Sequence, residues 1–144
     1  MERRSFRAMG TTVELLVETG AAADALDAAE AEFERLEQTL SRFRPGSELS
    51  RLNRDGAIEA SPDLLDVVER ALEGRERTGG RFDPTVHDAL VAAGYDRTFD
   101  EVAPELPRGA SPVQCGGRVD IDGRRISLAR RASTRSPSRP CFEL

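Results

Sequence analysis

The sequence predicts an α+β fold on three observations: strand-like alternation at residues 13–17, amphipathic helical spacing in three stretches between 22 and 94, and an Asp-Gly hairpin signal within 118–128. With 144 residues, 38% of them hydrophobic, the chain can bury one modest core.

Taking the elements in order, Val13, Leu15 and Val17 alternate with Thr12, Glu14 and Leu16, the period of a strand with one buried face, over about 11–18. Leu26, Ala29, Phe33, Leu36 and Leu40 recur at steps of three and four, with Glu30, Glu32, Glu34 and Glu37 on the other faces, so 22–41 reads as an amphipathic helix. Pro45-Gly46 breaks it, and Leu49 with Leu52 allow only a short turn of helix. Ser61-Pro62-Asp63 combines a cap, a first-turn proline and a carboxylate at the positive helix end, and Leu64, Val68 and Leu72 give the inward stripe of a second helix over 62–77. Thr78-Gly79-Gly80 stops that helix. Asp83-Pro84 then restarts one that carries Val86, Leu90 and Ala93 on a face and ends at Gly94. Residues 95–117 are loop-like, and RVDIDGRRISL reads as a hairpin turning at Asp122-Gly123 in a type I′ turn, with Val119 and Ile121 opposite Ile126 and Leu128. Beyond it, ARRASTRSPSRPCFEL has no apolar period. Residues 1–128 are thus expected to form the folded module and 129–144 a disordered basic tail.

Composition narrows the function classes. All 21 basic residues are arginine, with no lysine, and Asn53 is the single asparagine, as a GC-rich gene would give. Residues 1–123 hold 15 Arg against 25 acids, while 124–144 hold 6 Arg against Glu143 alone. No apolar run approaches the roughly 20 residues of a membrane span, and no secretory signal is recognisable, so a soluble, cytoplasmic product is expected. Cys115 and Cys141 lack metal-site spacing, and the basic tail lacks the interleaved aromatics of a nucleic-acid binder.

The segment TGGRFDPTVHDAL admits two readings. In one, Gly79-Gly80 is a helix stop, Phe82 a core anchor and Asp83 an N-cap. In the other, glycines before a helix start present unpaired backbone N–H groups to a ligand carrying phosphates or ring edges. Met9 fits a core gap, which its spacing favours, whereas Gly10 would admit a flat ligand or a neighbouring strand. His87 is expected to face solvent or to cap, and Asp63, Asp66 and Glu69 to form a solvated helix face.

The ordered segments FRAMGTTVELLV, LSRFRPGSELSRLN, SPDLLDVVERALEGRERTGGRFDPTV and AAGYDRTF resemble the N-terminal half of the ApbE family of flavin transferases, the FAD:protein FMN transferases once described as thiamine biosynthesis lipoproteins. The resemblance covers about residues 5–128 and implies a T-fold-like α+β enzyme. Such an enzyme uses Mg²⁺, cleaves FAD and attaches FMN to a threonine or serine of an acceptor flavoprotein, a redox subunit. It also implies that Met9, Phe43, Arg81, Phe82 and Asp83 contribute to the FAD pocket, Phe43 standing where some relatives carry tyrosine. Members continue from the hairpin into an LDLGGIGKG-like segment and later metal ligands; the sequence from about 129 reads instead as out-of-frame translation. A truncated chain, inactive alone, is the expectation, with a non-catalytic flavin-binding or interaction fragment as the alternative. A GGxxKG-like segment is expected in one of the gene's two other reading frames just after codon 129, and its absence from both would refute the frameshift.

Overall fold

The computed structural model describes residues 1–18, 22–94, 116–129 and 142. Within them the α+β class holds, with four helices and two small antiparallel sheets.

The first sheet is a hairpin of β1 (Glu2–Ala8) and β2 (Thr11–Val17), paired from Glu2↔Val17 to Ala8↔Thr11. Its two-residue turn, Met9-Gly10, has positive φ at both positions, 51° and 72°, the type I′ geometry whose twist matches that of the strands. β1 is not legible from periodicity because ERRSFRA holds three arginines. Its inward positions are Arg4, Phe6 and Ala8. Phe6 meets Phe33 of α1 (Ala22–Leu40) edge-on at 5.5 Å, and the Arg4 guanidinium pairs with Asp27 and Glu30 of the same helix. An arginine can therefore occupy an inward position of a strand when a helix supplies its counter-charges.

The second sheet has the order β3-β5-β4, from β3 (Ala57–Glu59), β5 (Arg125–Ala129) and β4 (Arg118–Asp122). In β4–β5, Val119 faces Leu128 and Ile121 faces Ile126, as the alternation implies. The turn itself is shifted by one residue: Asp122 pairs with Arg125, leaving Gly123-Arg124 as the loop. Only Gly123 has positive φ, 58°, so the turn is of type II′ rather than I′.

Two helices cover this sheet. α2 (Glu48–Asp55) is a full helix where the sequence promised a short turn, because caps at both ends compensate for its length. Ser47 Oγ accepts the Ser50 N–H at 3.0 Å, and the Gly56 N–H, at a left-handed C-cap, donates to Leu52 O at 2.8 Å. α3 (Pro62–Arg77) matches the expected bounds, with Ser61 Oγ accepting from Leu64 N–H and Glu48 receiving the Ser61 N–H. Leu49 and Leu52 of α2, Leu64, Val68 and Ala71 of α3, Ile126 and Leu128 of β5, Ala60 and Phe142 make the core.

The third helix expected after Asp83 is α4 (His87–Ala92), only six residues long. Of the stretch 129–144 read as a disordered tail, Ala129 ends β5 and Phe142 is fully buried in the core, while the rest lies outside the described residues, as does most of the loop read over 95–117.

Leu52, with 0% exposure, is expected to lose about 2–5 kcal/mol of stability on substitution by alanine, read as a lower urea midpoint. Leu16→Ala, at 57% exposure, should stay within about 0.5 kcal/mol of the parent.

Candidate functional site

Two clusters carry the residues singled out in the sequence. The first is the loop after α3. Gly79 N–H bonds Glu76 O at 3.0 Å and Gly80 N–H bonds Arg75 O at 2.8 Å, the two-bond Schellman closure of a helix. Both glycines have positive φ, 60° and 82°, and a Cβ on either would meet no atom within 4 Å. The backbone turn, not a close approach, is what requires glycine here. Arg81 N–H then bonds Thr78 O at 3.3 Å, and Phe82 N–H bonds Thr78 Oγ1 at 3.0 Å. Four consecutive N–H groups are thus committed within the chain, which overturns the reading of this loop as an open cradle of backbone donors.

Phe82 packs one edge over Gly74, where a Cβ would lie 3.4 Å from its Cδ1, and remains 47% exposed. It is a shelf on α3 rather than a core anchor. Arg81 beside it is exposed.

Asp83 does not cap the next helix. Its Oδ1 accepts both the Thr85 N–H at 2.9 Å and the Thr85 hydroxyl at 2.6 Å, the local turn that an Asp forms with a residue two places on. The cap position of α4 falls to Val86, which makes no side-chain cap bond. Thr85, 3% exposed, passes the connection inward: its Oγ1 accepts the Gly117 N–H at 2.8 Å. Gly117 O in turn accepts from Arg75 Nη1 at 2.7 Å, and Arg75 Nε stands 3.8 Å from Asp83 Oδ1. Arg75, Gly117, Thr85 and Asp83 therefore close a ring that ties the end of α3, the loop and the start of β4 together. Burial pushes the Asp83 carboxyl up, but bonds from the Thr85 hydroxyl and amide, the Arg75 charge and the Gly116 amide outweigh it and hold the group below the ordinary aspartate range.

The second cluster lies at the far end of α1. Met9, expected to fill a core gap, is instead 50% exposed at the hairpin tip in a left-handed conformation that non-glycine residues adopt at a cost of about 1–3 kcal/mol. Its N–H donates to Glu37 Oε1 at 3.2 Å. The other Glu37 oxygen accepts from Arg44 at 3.1 Å, and Arg44 also grips Glu34. Glu37 thereby links the Met9 turn to the segment carrying Phe43. The Phe43 ring is 45% exposed, with the Arg42 guanidinium 4.3 Å from its centroid.

Gly10 has open space where its Cβ would be, so among the described residues no neighbouring strand comes close to it. His87, expected at the surface or as a cap, has only 22% of its side chain exposed, with Nδ1 3.5 Å from Asp88 Oδ1. Arg75, Thr85 and Gly117 escaped the sequence reading. The Asp-Pro-Thr spacing is a local signal for the Asp83–Thr85 turn, whereas Arg75 and Gly117 are joined by folding across 42 residues. Asp63, read as part of a solvated face, pairs with Arg35 of α1. Among the described residues no group of three or more His, Cys, Asp or Glu side chains is placed to hold a metal ion. Asp83, the loop's carboxylate, has Oδ1 bonded within the chain.

Thr85→Val is expected to destabilise the protein by about 1–3 kcal/mol, since it strands the buried Gly117 N–H, while Thr85→Ser, which keeps the hydroxyl, avoids most of that loss; denaturant titration separates them. A carboxyl with a depressed folded-state pKa contributes stability that is present above its unfolded pKa of about 3.9 and lost as pH falls through the folded value. Asp83→Asn should therefore flatten the acid limb of the stability–pH curve below about pH 4.

A family model described as the ApbE family matches residues 9–136. No curated protein matches at a significant level. Among solved structures, the ApbE protein of Thermotoga maritima superposes with a TM-score of 0.70 at 18% identity, covering 88% of this chain and 44% of its own. The apo flavinyl transferase ApbE of Pseudomonas stutzeri gives 0.67 at 18%, covering 99% and 48%. The flavin transferase ApbE of Vibrio cholerae gives 0.66 at 23%, covering 99% and 47%. The chain spans about half the length of these structures, and by the extent of the family match it belongs to the ApbE family.

Proposed function

We propose that this chain is the flavin-holding half of an FAD:protein FMN transferase. The observation that carries the reading is that Met9, Phe43 and Phe82, three large apolar side chains at positions the family resemblance assigns to the FAD pocket, are each about half exposed. Burying such groups would normally be favourable by about 1.5–3 kcal/mol each, so a fold that keeps them out leaves apolar area for a planar ring system to cover. Arg81, beside Phe82 on the loop, offers a guanidinium to a phosphate.

In the reaction proposed for the family, a threonine or serine hydroxyl oxygen of the acceptor bonds to the FMN phosphorus. The P–O bond of the pyrophosphate bridge breaks, AMP leaves with its electron pair, and the hydroxyl proton passes to a base. Mg²⁺ would neutralise the charge gathering on those oxygens. The chain by itself is proposed to bind the flavin without transferring it.

Flavin fluorescence anisotropy, excited in the visible, reports binding directly. FAD is expected to bind the full chain, and Phe82→Ala and Met9→Ala each to weaken it about tenfold, equivalent to about 1.4 kcal/mol. A threonine-containing acceptor peptide incubated with the chain, FAD and Mg²⁺ should show no added FMN mass. Absence of binding would overturn the flavin reading, and added FMN would overturn the division between holding and transferring.

A further inference from the structure

Asn53 makes a contact that nothing in the flavin reading requires. Its Nδ2 donates to Phe142 O at 2.9 Å and its Oδ1 accepts the Phe142 N–H at 2.6 Å, across 89 residues of sequence. A carboxamide presents one donor edge and one acceptor edge, as a peptide group does, so the pair reproduces one step of an antiparallel ladder. The two bonds fix the orientation of the amide, because exchanging its oxygen and nitrogen would set donor against donor. They read the main chain of residue 142 and are indifferent to its side chain.

The side chain is read separately. Phe142 has 0% exposure and completes the cluster of Leu49, Leu52, Leu64, Val68 and Ile126. Leu49 and Leu52 stand on α2 with Asn53, so one short helix carries both the apolar wall and the amide. Main-chain pairing beside a pocket for one side chain is the general logic of peptide docking, in which the former gives affinity and the latter selectivity. Asn53 also lines a surface pocket of about 410 Å³ with Arg42, Ser50, Arg54 and His87.

We propose that Asn53 and the socket behind it form a peptide-docking site selective for an aromatic residue whose own N–H and C=O are free to pair. Its occupant is this chain's own segment carrying Phe142, acting as a removable plug of the core. Alanine would leave the socket void, a charged residue would bury an unpaired charge, and proline would remove the N–H that Asn53 accepts.

Amide hydrogen exchange in the ¹⁵N-labelled full chain tests the clamp. The Phe142 amide should be protected, and Asn53→Ala should speed its exchange at least about tenfold while Leu128, whose N–H bonds Gly56 O, stays protected. An unprotected Phe142 amide in the unaltered chain, or protection that persists in Asn53→Ala, would overturn the proposal. The socket is tested with full-chain Phe142→Ala, expected to melt several degrees lower and to be restored by a peptide of residues 138–144 added in trans. The same peptide with Phe replaced by Ala should need roughly tenfold or more higher concentration for the same shift. Equal rescue by both peptides, or a Phe142→Ala chain melting like its parent, would sink the idea. Should that variant not fold without peptide, the exchange comparison decides alone.

Discussion

The contact between the apolar stripes of α2 and α3 and the inner face of the β3-β5-β4 sheet is the constraint from which the other placements follow. Leu49, Leu52, Leu64, Val68 and Ile126 are all essentially unexposed. Side chains so enclosed leave little freedom in helix rotation or strand register, since turning either would trade apolar burial for polar burial. Ser47, Gly56 and Ser61 mark where the helices must begin and end for those stripes to meet, and their capping bonds satisfy backbone groups that would otherwise be stranded near the core. The exit of α3, and with it the Gly79–Asp83 loop, is set by this packing.

Around that core the chain uses polar bonds to place segments that have little apolar surface of their own. The ring of Arg75, Gly117, Thr85 and Asp83 joins stretches 32 and 42 residues apart through one buried hydroxyl and one guanidinium. Its consequence is that Asp83 acts on the loop, its Oδ1 bonding the Thr85 amide and hydroxyl. Glu37 has the equivalent part at the other cluster, bonding the Met9 turn and the arginine next to Phe43. Both clusters therefore share a plan: an exposed apolar side chain over a polar anchor. Such an anchor keeps a hydrophobic group from collapsing inward.

The link between α1 and α3 is of a weaker kind. Arg35 bonds both Glu32 and Asp63, and these bonds hold the Asp63 carboxyl below its ordinary range. The partners are solvent-exposed, where salt screening limits the contribution of such pairs. The hairpin relies more on Phe6 against Phe33 than on the Arg4 pairs beside it.

Sequence alone determined the features whose cause is local. Helix α3 runs over the residues its Ser-Pro-Asp start and glycine stop delimit, and the faces of β4 and β5 follow from alternation, because capping and side-chain period act within a few residues. The ordered motifs also carried the family. Strand β1 escaped because its inward Arg4 depends on acids 23 and 26 residues away, and α2 was expected only as a short turn because its caps, Ser47 and Gly56, went unread beside the Pro45-Gly46 break. Only the tertiary structure decided that the glycine N–H groups are committed to α3, that Met9 is outside, that Asp83 serves Thr85 and that Phe142 enters the core. Each of those outcomes turns on which distant donor, acceptor or cavity a residue meets. Long-range proximity of this kind is created by packing and leaves no period in the chain.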